Sequence, residues 1–294
     1  MFLMRIKEMA IITALLFTVP AYGQKEDSGY IEYEAIFPSV SYGSGTLHAV
    51  LNFNDSASAY CYRKYGLDDS ARSESLLMTD PKKGAIMMIS GYDATGEIVY
   101  RNFNRKVIIY RATKRPPLPA FIVQDEWLDI HWEIGSDSKI IKGYVCKKAT
   151  GTFRGRTYTA WFTEQIPYRY GPWKLFGLPG VIIAATDAEH QVVFNAKNIC
   201  YPCSNKDSIM QPEEDIVKSL KEYVGFKDHL LENVRDTLQA KAPEGIRITL
   251  ENAPSPATIH ANRQYAMEKV YEWESADSVS YPEFPARSMM INKN

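Results

Sequence analysis

Two of the four cysteines have the spacing of a redox pair or of half a metal site. Cys200 and Cys203 are separated by two residues, whereas Cys61 and Cys146 stand alone in the sequence. A metal site of this kind usually has a second Cys pair or a His pair, and the chain contains neither. A thioredoxin-like motif begins a helix, but this pair precedes a polar turn. The pattern favours a structural disulfide or partly free thiols, and four cysteines leave three pairings open.

Three carboxylates near two tryptophans form the second group with chemical potential. Asp125, Glu126 and Asp129 lie beside Trp127 and Trp132, which are residue types suited to an acid and base pair that acts on carbohydrate. A solvated surface segment gives the same pattern. The five histidines are spread along the chain without partners at helical spacing, which is typical of structural or surface residues. These patterns therefore assign no catalytic residue and no metal ligand.

The chain lacks the short motifs of the common catalytic and nucleotide-binding classes. GxSxG, HExxH, P-loop, EF-hand and Rossmann fingerprints are all absent from its 294 residues. Its 34 Lys and Arg against 35 Asp and Glu give a formal net charge of -1. This balance gives no electrostatic reason to expect a nucleic acid or an anionic lipid as a partner.

The N-terminus has the parts of a secretory signal peptide. A positively charged start is followed by the apolar run 9–19, which Pro20 ends, and Ala21 and Gly23 place small residues at a cleavage site. The apolar run is too short to span a bilayer, which takes about 20 residues, and no later segment approaches that length. The pattern predicts that residues 1–23 are removed after Gly23. The mature chain is then exported to the periplasm or beyond the cell, without a membrane span.

Most of the following chain consists of short runs in which apolar and polar residues alternate. In the first run Ile31, Tyr33 and Ala35 alternate with polar residues, as in a strand that is buried on one face. Regular strand spacing predicts an antiparallel, mainly β domain over residues 24–203, built as a curved sheet or half-barrel, with an open sandwich as the alternative. Turn-forming residues bound the predicted strands, which occupy residues 29–37, 46–53, 59–65, 85–90, 97–102, 106–112, 121–124, 139–149, 152–154, 157–164, 181–187 and 191–199.

The composition changes after the second cysteine of the CxxC pair. Apolar residues recur at helical spacing over 212–241, which predicts one or two amphipathic helices, divided at Gly225 if there are two. Another helix is predicted near residues 260–276. We expect a helical region over 204–277 that packs on the sheet, followed by a loose tail over 278–294.

Aromatic residues are concentrated just before a tight turn. Pro179 presets one φ angle of this turn, and Gly180 can adopt the positive φ that a type II turn needs next. The rings either fill one end of the sheet or line an apolar pocket, and the interleaved basic residues either stack on the rings or bind a carboxylate. The turn consists of Gly177, Leu178, Pro179 and Gly180, and the cluster before it contains Trp161, Tyr168, Tyr170, Trp173, Arg156 and Lys174.

This central segment resembles the GLPGLI family of secreted bacterial proteins. Val181 stands where the family motif has Leu, a change that one buried aliphatic position can absorb. The resemblance implies an exported, mostly β protein of the cell envelope, in a family without an assigned activity. It is carried by Gly143-Tyr-x-Cys146-x-Lys148-Ala149, Gly155-Arg156-x-Tyr158-x-Ala160-Trp161-Phe162-Thr163, Ile166-Pro167 and Gly171-Pro172-Trp173-Lys174-x-Phe176-Gly177-Leu178-Pro179-Gly180.

These features together predict an exported cell-envelope protein that binds a partner and does not catalyse a reaction. The aromatic and basic cluster before the turn is the candidate binding site, and its partner is either an apolar small molecule or another envelope protein. The alternative is a secreted hydrolase or redox protein that uses the carboxylates between Asp125 and Asp129 or the pair Cys200 and Cys203. We expect no cofactor, no metal and no nucleic acid.

Overall fold

The computed structural model describes residues 27–37, 46–63, 75–80, 84–89, 93, 95–114, 117–245, 247–249, 258, 263 and 266–274. The predicted signal peptide over 1–23, its cleavage after Gly23 and the predicted tail over 278–294 lie outside these residues.

Strands dominate the described ranges, and two helices follow them. The helices are α1 (Leu220–Asp228) and α2 (Leu230–Gln239). The strands are β1 (Gly29–Ile36), β2 (Leu47–Phe53), β3 (Ala57–Arg63), β4 (Ser75–Asp80), β5 (Gly84–Ile89), β6 (Glu97–Asn102), β7 (Val107–Ala112), β8 (Phe121–Asp125), β9 (Trp132–Ile141), β10 (Tyr144–Phe153), β11 (Arg156–Thr163), β12 (Val181–Asp187), β13 (Val193–Cys200) and β14 (Val217–Ser219).

Twelve of these strands form one open sheet, in the order β14-β8-β7-β6-β3-β2-β1-β13-β12-β11-β10-β9. The pairs within it are antiparallel, apart from the parallel pair of β14 and β8. β4 and β5 form a separate two-stranded sheet. The predicted mainly β architecture with a C-terminal helical region is confirmed. The predicted strand over 139–149 is wrong in one respect, because the turn at Lys142 and Gly143 divides it into the hairpin β9–β10.

The sheet curls so that strands near its opposite ends meet. Asp125 at the end of β8 forms an ion pair with Arg154, which lies in the turn between β10 and β11. Residues 164–180, between β11 and β12, pack into the main core: Ile182 N–H donates to the Tyr170 carbonyl at 3.0 Å. This connection therefore behaves as part of the interior, not as a surface loop.

One row of side chains crosses four neighbouring strands on the face that lines the main core. Ser58 of β3 is directly opposite Arg101 of β6, Arg101 is opposite Ile108 of β7, and Ile108 is opposite Asp125 of β8. Side chains that are opposite one another in an antiparallel pair point to the same face of the sheet. The register therefore brings a guanidinium and a carboxylate into the interior.

The first helix begins later than the sequence predicts. The Ser219 hydroxyl accepts the Glu222 N–H at the start of α1, and the Glu222 carboxylate accepts the Ser219 N–H in return. The preceding residues pair with β8 as β14, because their backbone continues the sheet at its edge. Gly225 does not divide the helices, since it lies within α1 and the break falls at His229. Helix α1 packs on β8 through Leu220.

The predicted helix near residues 260–276 is wrong over residues 266–274. Residues 266–274 form turns and irregular backbone. The N–H of Lys269 donates to the Arg154 carbonyl at 3.0 Å, so the backbone bonds to the β10–β11 turn and not within a helix. Residues 266–274 are called the C-terminal strap below. The division into a β domain over 24–203 and a helical region over 204–277 stays a prediction.

The Gly-Leu-Pro-Gly turn differs from its predicted form. The positive φ angle, 102°, lies at Gly177 and not at Gly180. Gly180 is needed for a different reason, because a Cβ there would lie 2.1 Å from the Thr163 carbonyl oxygen. The turn therefore requires glycine at one end for its φ angle and at the other for close backbone contact.

Substitution by alanine should change the free energy of unfolding in opposite directions at Gly180 and Gly225. Gly180→Ala forces backbone apart in the core and is expected to lower the free energy of unfolding by at least about 2 kcal/mol. Gly225→Ala is the matched control, because its added Cβ meets nothing within 4 Å. This control should stabilise α1 by about 0.5–1 kcal/mol. Urea unfolding measures both, and a neutral Gly180→Ala variant would contradict the proposed packing.

Candidate functional site

A buried group of charged side chains joins the two ends of the sheet to the C-terminal strap. We call Asp125, Arg154, Lys174, Glu268 and Glu272 the ionic cluster. Arg154 donates to both oxygens of Asp125, at 2.7 and 3.0 Å, and its Nε donates to Glu272 at 3.0 Å. Lys174 Nζ lies 2.6 Å from Asp125 Oδ2 and 2.7 Å from Glu268 Oε1. Arg154 also pairs with Glu268.

Local backbone geometry places Arg154 in this position. Arg154 and Gly155 both have positive φ angles, 44° and 80°, and they form the two-residue connection between β10 and β11. Two-residue hairpins favour this geometry because it matches the twist of the strands. Gly155 also faces the strap, since a Cβ there would lie 3.0 Å from Lys269. The turn thus holds a cation at the sheet end and leaves room for the strap.

The cluster holds Asp125 in its charged form. The side chains of Asp125 and Arg154 are each 1% exposed. Burial alone would raise the pKa of Asp125, but Lys174 and Arg154 outweigh it and lower this pKa to about 2. For Arg154, burial opposes the charge, and Glu268 and Asp125 raise its pKa above the ordinary value. Asp125 therefore has no proton to donate at neutral pH.

A second buried ion pair lies beside this cluster. Arg156 of β11 pairs with Asp187, and its Nε donates to the Ala266 carbonyl of the strap at 3.0 Å. The other Asp187 oxygen accepts the backbone N–H groups of Gln191 and Val192, both at 2.8 Å. Arg156 therefore joins the β12–β13 turn to the strap. Its donors are directed at protein acceptors in this arrangement.

The predicted aromatic residues do not all lie together. Tyr170 and Trp173 are 2% and 4% exposed and belong to the main core. Tyr168 is half-buried, stacks on Tyr170 with ring centroids 6.2 Å apart, and donates its hydroxyl hydrogen to Asp55 at 2.7 Å. Trp161 is half-buried next to Lys139, whose Nζ lies 3.9 Å from the ring centroid. The structure brings Tyr168 and Tyr170 together.

The carboxylates proposed for a hydrolase do not converge on one site. Asp125 belongs to the buried ionic cluster, whereas Glu126 and Asp129 are exposed. The Trp127 indole N–H donates to Asp129 at 3.2 Å. Nothing in this geometry pairs a free acid with a free base.

The cysteine pair is joined in the structure. A disulfide connects Cys200 at the end of β13 to Cys203. The Cys203 N–H donates to the Ser28 carbonyl at 2.9 Å, and the Ser28 hydroxyl donates to the Cys203 carbonyl at 2.9 Å. Cys146 is a buried free thiol, and burial raises its pKa. The disulfide thus closes the end of the β1–β13 pair.

The described residues contain neither a metal-binding group nor a membrane-spanning helix. Among them, no group of three or more His, Cys, Asp and Glu side chains is arranged to hold a metal ion. None of the helices in the described ranges has the length and apolar character needed to cross a membrane.

Comparison with known proteins identifies the segment that carries the ionic cluster's central arginine. Residues 152–184 match a family model described as a protein of unknown function, Porph_ging. The matched segment includes Arg154, Arg156, Lys174 and the Gly-Leu-Pro-Gly turn. No curated protein sequence matches the chain.

The chain also has distant structural similarity to PNGF-II. One PNGF-II structure, in space group P21, aligns with 68% of this chain and 32% of its own at 14% identity and a TM-score of 0.44. A second, in space group C2, aligns with 78% and 37% at 14% identity and a TM-score of 0.45. The chain therefore spans about a third of the PNGF-II chain in each alignment.

Sequence analysis missed the partners that complete the site. Arg154 resembles an ordinary turn residue next to Gly155, and Glu268 and Glu272 fall in a segment with a helical pattern. No spacing signal could connect them, because Arg154 and Glu268 are 114 positions apart. The sequence pattern instead predicts Lys174 as part of an aromatic pocket and Asp125 as part of a carboxylate pair.

The charge on Asp125 should make stability depend on pH in the acid range. Its pKa falls from 3.8 in the unfolded chain to about 2 in the folded one. The carboxylate therefore contributes about 2 kcal/mol above pH ~4, and this contribution is lost as the pH falls towards 2. Asp125→Asn should remove this part of the pH dependence and lower stability by about 3–5 kcal/mol, since it leaves buried cations unpaired.

Urea unfolding between pH 2 and 6 measures the slope. The control is Glu164→Gln, which changes an exposed carboxylate paired with Lys147 and should leave the slope unchanged. Equal slopes in wild type and Asp125→Asn would contradict the assignment.

Proposed function

We propose that this chain is an exported, non-catalytic protein of the cell envelope, related to the GLPGLI family, that binds another envelope protein. The observation that carries the proposal is the exposed hairpin β9–β10. The bound envelope protein contributes an extended segment, which pairs as an additional strand with the free edge of β9. The partner is a protein and not an apolar small molecule.

The hairpin carries an exposed apolar pair. Ile140 of β9 and Val145 of β10 are directly opposite one another and are 74% and 54% exposed. Ile134, further along β9, is also exposed, but it is opposite the core residue Ala149 and so lies on the other face of the hairpin. Apolar side chains on neighbouring strands form a contiguous surface, and such surfaces are a common feature of protein interfaces.

The edge of β9 supports pairing with another strand. In the described part of the chain, β9 pairs with β10 alone. The hairpin turns at Lys142 and Gly143 with φ angles of 52° and 85°, so Ile141 and Tyr144 form the hydrogen-bonded pair that closes it. The alternation of antiparallel pairs then directs the N–H and C=O of Ile140 away from β10. Strand addition would use these groups.

An irregularity in the hairpin limits the length of this pairing. The register between β9 and β10 shifts between Lys147 and Ala149. Such irregularities bend an edge and interrupt its pairing. The regular part that remains is Ser138–Ile141, next to the turn. A short strand together with the Ile140 and Val145 side chains is therefore the expected contact.

The aromatic cluster favours a structural role over a ligand pocket. Trp173 packs against Phe153 with ring centroids 5.8 Å apart, and Tyr170 packs against Phe103 at 5.1 Å. Lys174 is committed to Asp125 and Glu268. A small molecule at these positions would have to displace core contacts. The hairpin surface needs no such rearrangement.

Binding through the hairpin predicts a site-specific cross-link. A photo-reactive amino acid in place of Ser138 should form a cross-link to one partner protein in the native host, and mass spectrometry identifies that protein. The same amino acid in place of the exposed Met210 should form no cross-link to it. With that partner purified, Ile140→Asp should weaken binding at least tenfold, because it places a charge in an apolar contact.

Met210→Asp is the matched control, since Met210 is 70% exposed and lies outside the hairpin. It should leave the affinity unchanged. All of these variants should keep the wild-type melting temperature because the side chains are exposed. Equal affinities of Ile140→Asp and wild type would reject the hairpin as the binding surface.

Export predicts a processed N-terminus. Expression of the full chain in a bacterial host should yield a protein outside the cytosol whose mass corresponds to a start at Gln24. Gly23→Leu replaces the small residue before the cleavage position and should block processing. Intact-mass measurement of cell fractions tests this. An unprocessed wild-type chain in the cytosol would be the contrary result.

A further inference from the structure

Arg101 is a buried cation with an environment unlike that of the other buried arginines. It is 1% exposed, on β6 within the core-lining row. Its Nη2 donates to the Trp173 carbonyl at 3.3 Å, and its guanidinium lies 4.4 Å from the centre of the Phe176 ring. Within the described residues it forms no ion pair, and its Nε has no hydrogen-bond partner.

Two other buried arginines, Arg154 and Arg156, are each paired with carboxylates. Arg154 pairs with three carboxylates, and Arg156 pairs with Asp187. Asp125 lies in the same row as Arg101, but Ile108 separates them and its oxygens are held by Arg154 and Lys174. Both Asp125 oxygens are therefore held by other cations, and Asp125 acts on Arg101 only at a distance.

A second buried polar atom without a hydrogen-bond partner among the described residues belongs to the residue opposite Arg101. Ser58 is directly opposite it on β3, and the buried Ser58 hydroxyl has no hydrogen-bond partner in the described structure. Opposite residues in an antiparallel pair have Cβ atoms about 4.5–5.5 Å apart. The Arg101 and Ser58 side chains therefore point to the same face of the sheet, and each carries a donor that lacks a hydrogen-bond partner in the described part of the chain. Both are hydrogen-bond donors, which is the chemistry of an anion site.

We propose that Arg101 and Ser58 bind a small monovalent anion, either a halide or the carboxylate of a small acid. The anion accepts from Arg101 Nε and from the Ser58 hydroxyl, and it places a negative charge in direct contact with Arg101, which no described carboxylate does. Since Trp173 and Phe176 of the core contact the guanidinium, the anion of this proposal is a small one. A divalent or bulky anion does not suit it.

The protonation state of Arg101 is consistent with this role. Burial lowers its pKa to about 10, although Tyr170 and Asp125 act in the opposite direction. Arg101 therefore stays positively charged at neutral pH. A buried charge without a counter-charge is unfavourable, so an anion bound at folding stabilises the native state.

Urea and thermal unfolding of the full chain at constant ionic strength test the site. The protein is refolded from urea into sodium sulfate, chloride, bromide or formate, so that a buried anion can be taken up during folding. Chloride, bromide or formate should raise the melting temperature of the wild type more than that of Arg101→Met, and this comparison corrects for the general stabilising effect of sulfate. Above the dissociation constant the expected rise is about 3–5 °C for each tenfold increase in anion concentration.

Two variants separate anion binding from general salt effects. Arg101→Met keeps an apolar side chain of similar length in the core and should abolish the dependence on the anion, and Ser58→Ala should weaken it. Arg235→Met, at a partly exposed position of α2 outside the core, should keep the wild-type dependence. The melting temperature of each variant is compared between salts, so a change in the basal stability of a variant does not affect the result.

The choice of salts identifies the source of the charge. A response to chloride and bromide indicates a halide, and a response to formate alone indicates a carboxylate. A crystal grown in bromide should show anomalous density beside Arg101 Nε. An ordered water only at that position, or the same salt dependence in wild type and Arg101→Met, would overturn the proposal.

Discussion

The neutralisation of Arg154 is the interaction on which the rest of the architecture depends. A guanidinium in a two-residue turn would ordinarily be solvated, but here it is buried, and burial without carboxylates would be strongly unfavourable. Asp125 reaches it from β8, at the other end of the sheet, and Glu268 and Glu272 reach it from the C-terminal strap. One cation thus sets the curl of the sheet and the path of a remote segment.

The connection between β11 and β12 completes this arrangement. It carries Lys174 to Asp125 and places Trp173 and Phe176 in the core, and its backbone bonds to β12 through Tyr170. The contact between Gly180 and Thr163 lets the connection return tightly to the sheet. A segment rich in aromatic residues and bases therefore acts as an interior layer. Its aromatic rings bury apolar area and its lysine balances charge.

The sequence was informative where the physics is local. Alternating residues predicted most strands, because side chains on a strand point to opposite faces. It failed where a distant contact decides the conformation. The pattern near residues 260–276 is helical, yet bonds to Arg154 and Arg156 hold the strap in another form. Likewise the spacing around Gly180 predicted the turn but not the carbonyl contact that requires glycine, and no periodicity indicates that Arg154 meets Asp125.

This division between interior and surface also bears on where function resides. Most charged side chains of the interior are paired with one another, and such closed networks hold a fold in one arrangement without leaving groups for chemistry. Asp125 is an example, because the cations that stabilise it also prevent it from acting as an acid. The hairpin β9–β10 has the opposite character, with exposed apolar side chains and backbone groups directed outward. Recognition is therefore expected at the edge of the sheet, while the ionic interior keeps that edge in place.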